Sequence, residues 1–245
     1  MSPAPKARFL RSGDTALVVE FGTGIDPRLS AFVLSLARRL EAAAIPGIVE
    51  MVPTFRSLMV HYEPLLLSHA ELERRLGTML EGDTAEERPG RRWHLPACYD
   101  AEFGPDLAEV AERTNLSVAQ VIERHIATLF HVYMMGFLPG FPYMGALPRE
   151  LELPRRVNPR LRVPAGSISI AMAMTNVYSL ESPGGWHLIG RTPAPLWKLQ
   201  RPEPALLAAG DKVLFVPISL REHEAILGQV AAGTYELRPQ GEAAA

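Results

Sequence analysis

Leu161-Arg162-Val163, Ser167-Ile168-Ser169-Ile170-Ala171-Met172, Trp186-His187-Leu188-Ile189 and Val213-Leu214-Phe215-Val216 are short apolar or alternating runs set apart by Pro, Gly and Asn. Runs of this length bounded by turn formers read as strands, because a two-residue period presents one face to a core. Helical spacing disappears from Phe141 onward, so this half of the chain is expected to be a β-barrel with long loops. Upstream, a strand is expected around Trp93 to Tyr99. Two helices should follow, Asp106 to Arg113 and Val118 to about Leu129, the second opened by a Ser117/Gln120 capping box.

The first 85 residues read as a smaller α/β unit. Thr15 to Phe21 is rich in β-formers, and Asp26-Pro27 then supplies an N-cap and a proline at the first helical position. Leu29, Phe32, Val33, Leu36 and Leu40 follow at helical spacing until Pro46-Gly47. A second β stretch, Ile48 to Tyr62, is interrupted by Pro53, and Ser68 with Glu71 opens a helix to about Leu80. This order suits a ferredoxin-like sandwich. The polar stretch Glu81 to Arg92 is the expected linker. The fold class is therefore α+β, with domains over 1–85 and 86–245, the second a β-barrel carrying a two-helix insertion and Pro/Gly-rich loops.

Composition narrows the function. The 245 residues are 47% hydrophobic and 21% charged, values of a globular chain. Eleven of the 22 prolines fall between Pro139 and Pro204. That window holds seven Arg and one Lys against four Glu, a local +4 inside a chain of net charge -2. Arginines dispersed among apolar residues suit a carboxylate or phosphate site better than a nucleic-acid face. The helix pair at 106–126 carries Asp106, Glu109, Glu112 and Glu123 against Arg113 and Arg124, which argues against a DNA-reading helix-turn-helix. A lone Cys98 gives no disulfide framework and makes the cytoplasm the default compartment. The long uncharged stretch Val132 to Pro148 is broken by proline and glycine, so no membrane helix is expected. None of the seven histidines is paired at i,i+4 spacing, so no metal motif appears, and His125 reads as a structural hydrogen-bonding group. No Gly-x4-Gly-Lys-Ser/Thr phosphate loop is found.

Three Pro/Gly-rich motifs remain as the candidate site. Gly136 to Gly145 combines fixed and permissive backbone with an aromatic wall, and contributes Phe137, Pro139, Gly140, Phe141, Pro142 and Tyr143 as binding residues. Pro159 to Ser167 places Arg160 and Arg162 two apart, followed by Gly166 and Ser167. Ser182 to Pro193 supplies Ser182, Gly184, Gly185 and Trp186 for binding, together with Arg191. The glycine pair could form a backbone nest for an anion. Arg160, Arg162, Ser167 and Arg191 are the candidate catalytic residues.

With Glu102 to Leu107, Arg56-Ser57-Leu58 and Tyr62, these motifs resemble the family of the 5-oxoprolinase B subunit (PxpB), which also covers the kinase inhibitor KipI and allophanate hydrolase subunit 1. The resemblance runs from about Gly13 to Phe215. It implies a cyclophilin-like barrel after the ferredoxin-like domain, and a protein that is inactive alone. It implies partners, a C subunit (PxpC or KipA type) and an A subunit, in the ATP-dependent opening of 5-oxo-L-proline to L-glutamate. ATP would bind at or with a partner subunit. Alternatives within the resemblance are a KipI-type protein-binding module acting on a histidine kinase, or a urea- or allophanate-type amide hydrolase or carboxyltransferase subunit. Met174-Thr175-Asn176 stands where relatives commonly read Gln-Thr-Gly, and Ser179 follows Tyr178 in place of a proline.

Overall fold

The computed structural model describes residues 6–81 and 90–241, so the expected linker lies mostly outside the described residues. The chain divides into two compact units, one up to Pro89 and one from Gly90.

In the first unit β1 (Arg8–Ser12) and β2 (Ala16–Glu20) form a hairpin, with Gly13 at φ +66° opening the turn. Helix α1 (Pro27–Ala43) starts as the sequence dictates, Asp26 accepting from the Arg28 N–H at 2.8 Å with Pro27 at the first position. Strands β3 (Ile48–Pro53) and β4 (Ser57–Tyr62) follow, then α2 (His69–Leu80). The sheet order is β1-β2-β4-β3, antiparallel throughout. Leu58, Val60 and Tyr62 alternate inward along β4 and share a core with Phe32, Leu36 and Leu40 of α1 and Leu72 and Leu76 of α2. The outer strand next to β2 comes from before it in sequence, where the pattern of residues 1–85 placed none. Ser68 caps α2, but only half of a capping box forms, because Glu71 turns its carboxylate to Arg74 and Arg75.

The second unit begins with β5 (Arg92–Ala97), α3 (Leu107–Thr114), α4 (Val118–Ile126), β6 (Phe130–Met135) and β7 (Pro142–Gly145). It continues through β8 (Arg160–Val163), β9 (Ser167–Ala171), β10 (Met174–Val177), β11 (Ser182–Gly184), β12 (His187–Arg191), β13 (Lys212–Pro217) and α5 (Leu220–Ala231). Seven strands run β12-β9-β10-β7-β6-β13-β5, with only β13 and β5 parallel, while β8 and β11 pair separately. The two outer strands almost meet: Cys98, just past β5, exchanges two backbone hydrogen bonds of 2.8 Å with Arg191 at the end of β12. Gly190 permits that approach, since a Cβ there would lie 2.7 Å from the Cys98 carbonyl oxygen. The architecture is mixed α+β with a nearly closed, barrel-like sheet, consistent with a cyclophilin-like fold. The four short apolar runs between Leu161 and Val216 fall on β8, β9, β12 and β13.

One element departs from the expected pattern. Helical spacing does not end at Phe141, because α5 forms at 220–231, opened by a complete Ser219/Glu222 capping box. Only His223 of this helix is buried, so it lacks the apolar stripe that marks a core helix.

The interior of the second unit holds two histidines whose titration bears on stability. His125 is fully buried, and Thr175 Oγ1, which donates to the Ser169 carbonyl, lies 3.0 Å from its Nε2. The Thr175 proton being spent, Nε2 carries the hydrogen and Nδ1 accepts from the Tyr99 hydroxyl at 2.8 Å. Burial pushes His125 down to about 3. Burial and the neighbouring Lys212 push His131 down to about 4, against a smaller opposite pull from Asp211. As the pH drops below about 6.5 the unfolded chain protonates at both positions while the folded chain does not, so stability present at pH 7 is lost on acidification. Urea unfolding at pH 5 should show a stability lower by about 3 kcal/mol from these two groups than at pH 7, and His131→Asn should reduce the difference.

Candidate functional site

Between α5 and the open end of the barrel lies a cavity of about 540 Å³. Helix α5 lines it with Leu220, His223, Glu224, Leu227 and Val230, residues that recur on one helical face. The barrel contributes Glu102, Phe103, Gly166, Tyr178, Arg191 and the run Thr192 to Leu196. Gly166, at φ +81°, lets the turn before β9 press against this run, since a Cβ would sit 2.4 Å from the Thr192 carbonyl oxygen.

Two polar side chains in the cavity are not spent on the protein. The Arg191 guanidinium lies 4.7 Å from the Phe103 ring centroid and makes no ion pair among the described residues, and its buried Nε has no hydrogen-bond partner. Burial pulls its pKa down, opposed by Glu102. His223 is 1% exposed, packs on Phe103 at 4.4 Å, and has both ring nitrogens unpartnered. Burial lowers its pKa, with Arg191 adding to the effect against Glu102 and Glu224. Unsatisfied buried nitrogens carry a desolvation cost that a ligand would relieve. The wall is largely apolar apart from these groups and the two glutamates, and its volume falls in the range of small-molecule pockets.

The residues singled out from the sequence divide among four places. Arg191 and Gly166 line the cavity. Phe137, Phe141, Tyr143 and Trp186 form a chain of ring contacts with centroids 5.1 to 6.2 Å apart, and Phe141 also meets Tyr178, which lines the cavity. The loop carrying Pro139 and Gly140 is tied to this cluster by the Ser179 hydroxyl, which donates to the Pro139 carbonyl at 2.6 Å. Pro142 begins β7 opposite Met135. Gly184 sits against the Tyr178 ring, while Ser182 pairs with Val163 and Gly185 accepts from the Arg156 N–H. No anion nest on the glycine pair is needed to account for these contacts.

The remaining arginines are engaged. Arg160 makes a two-point ion pair with Asp106, which is 3% exposed, with contacts of 2.9 and 2.6 Å. The same carboxylate accepts from Arg156 at 2.9 Å and from the Leu188 N–H at 2.7 Å, which fills its acceptor capacity. Arg162 pairs with Glu181 at the surface. Ser167 is buried on β9 opposite Arg191, with its hydroxyl unpartnered. Among the described residues no group of three His, Cys, Asp or Glu could hold a metal ion, and no helix is long and apolar enough to cross a membrane.

Phe103, His223 and Glu224 are cavity residues that the sequence motifs did not single out. The signal for the last two was the Ser219-x-x-Glu222 capping pattern, which marks a helix start just ahead of them; Phe103 lay in a quoted motif but had no role.

Residues 7–207 match the family model of the carboxyltransferase domain, subdomain C and D. The chain is 38% identical to the B subunit of 5-oxoprolinase from Bacillus subtilis (strain 168), over 87% of this chain and 93% of that protein. It is 41% identical to the B subunit of 5-oxoprolinase from Escherichia coli O157:H7, over 86% and 96% respectively. The crystal structure of the K. lactis urea amidolyase matches with a TM-score of 0.80 at 19% identity, covering 98% of this chain and 16% of that one, a likeness of fold. A family model matching residues 7–207, and identity of 38–41% sustained over 86–87% of the chain, make this chain a member of the 5-oxoprolinase B subunit family.

Proposed function

We propose that this chain works as the B subunit of a cytoplasmic, ATP-dependent 5-oxoprolinase that opens 5-oxo-L-proline to L-glutamate, and that it is inactive without the C and A subunits. The observation that carries this reading is the 38–41% identity, sustained over 86–87% of the chain, to proteins named as the B subunit of 5-oxoprolinase. The cavity suits a share in that chemistry, since Arg191 is a half-buried cation that makes no ion pair among the described residues. A triphosphate fits it poorly: two glutamates face one arginine, and no phosphate-loop sequence is present. ATP is therefore assigned to the partner subunits.

The first unit is read as ferredoxin-like, in keeping with β2-α1-β3, whose parallel outer strands flank β4. The domain limits 1–85 and 86–245 accord with two compact units.

The test is reconstitution. Glutamate release with ATP and 5-oxo-L-proline is expected only when this chain is mixed with the A and C subunits. Turnover by A and C without it, or none with it under conditions in which the Bacillus relative supports turnover, overturns the reading.

A further inference from the structure

We propose that the cavity under α5 is a binding site for a small monocarboxylate carrying a planar amide ring, with Arg191 taking the carboxylate and His223 the amide carbonyl. The proposal rests on the 5-oxoprolinase reading for the ligand's identity, 5-oxo-L-proline, but on geometry for the site.

Helix α5 is unusual in what it does with its inner face. Leu220, Leu227 and Val230 line a cavity rather than a packed core, and the one side chain of the helix that is buried is polar. A capped helix that buries a histidine with both nitrogens unpartnered gains little from that arrangement on its own. The arrangement makes sense once something occupies the space. His223 and Arg191 both contact Phe103, at 4.4 and 4.7 Å, so the two open groups converge on one ring at the cavity wall.

Their chemistry defines the occupant. Arg191 offers forked N–H donors suited to a carboxylate. A neutral imidazole offers one donor and one acceptor, and its N–H can meet an amide carbonyl. The carboxylates of Glu102 and Glu224 repel a dianion and supply an acceptor for an amide N–H. A lactam ring bearing a single carboxylate satisfies all of these, and Phe103 and Leu227 give its flat faces an apolar wall.

The full-length chain, without partners, should be titrated with 5-oxo-L-proline by calorimetry, while ¹⁵N NMR follows the histidine ring signals. Saturable binding that shifts the His223 ring nitrogens is expected. Arg191→Gln should raise Kd about tenfold or more. Leu227→Trp, which fills the cavity without replacing a polar side chain, should abolish binding. Saturable binding that leaves His223 unshifted, or that survives both substitutions in folded protein, overturns the site. So does absence of binding by a chain that supports turnover in the reconstituted complex, an outcome that leaves the 5-oxoprolinase reading standing. Binding at His223 by a chain that gives no turnover with competent A and C would instead overturn that reading and keep the site.

Discussion

An Asp106→Ala chain is expected to lose about 3–5 kcal/mol of stability, the cost of removing one partner from a buried ion pair. The carboxylate is 3% exposed and holds Arg156, Arg160 and the Leu188 N–H at once. Removing it leaves Arg160 without its carboxylate, Arg156 with Glu109 alone and an interior amide without its acceptor, so an uncompensated guanidinium adds to lost hydrogen bonds. The carboxylate also joins the start of α3 to β12 across 82 residues of chain, so the damage falls on the seam that carries Arg191. At this chain length about 2–4 °C accompanies each kcal/mol, and thermal unfolding should show a midpoint lower by roughly 10 °C. Exchange of the Leu188 amide should accelerate more than that of amides in β6. Arg160→Met should cost less, because Arg156 and the Leu188 N–H still neutralise the carboxylate. Equal losses in the two variants would mean that the pair acts through packing rather than charge.

The same carboxylate explains what the sequence could and could not disclose. Strands β9, β12 and β13 were legible because Pro and Gly punctuate runs whose side chains alternate or are wholly apolar, and α1 was legible because its cap, its first-turn proline and its apolar stripe agree. The closing contact at Cys98 and Arg191 was not, since it joins residues 93 apart through backbone atoms alone. The local +4 was a count along the chain, and charges cancel in space. Asp106 and Glu109, outside the counted window, take up Arg160 and Arg156, and Glu181 takes Arg162. Of the three arginines chosen, Arg191 alone stays without a carboxylate among the described residues. Asp106 itself reads from sequence as the start of a helix, and its side chain does no capping. Helix α5 was hidden by its own role: a helix lining a cavity need not show the continuous apolar stripe by which buried helices are found.

Arg191→Gln should separate activity from stability in a way that a structural arginine would not. In the reconstituted enzyme, kcat/KM for 5-oxo-L-proline is expected to fall about 100-fold or more, the scale of losing a charge-assisted contact to a carboxylate in a desolvated site. The folded chain alone should lose nothing. Its guanidinium makes no ion pair among the described residues, with Nε buried and unpartnered, and burial lowers its pKa against the pull of Glu102, so the charged group costs stability that its contact with the Phe103 ring and the field of Glu102 offset in part. A neutral amide of smaller size removes the desolvation cost, which outweighs the lost ring contact, and Tm should stay level or rise. Groups kept for function at the expense of the fold leave this signature. Arg160 and Arg162 provide the contrast: Arg160→Gln should lower Tm through Asp106, whereas Arg162→Gln, exposed and paired only with Glu181, should change neither Tm nor turnover by more than the scale of a surface pair, below about 1 kcal/mol. If Arg191→Gln lowers Tm and leaves kcat/KM unchanged, the cavity is a structural void and the chemistry lies elsewhere on the barrel.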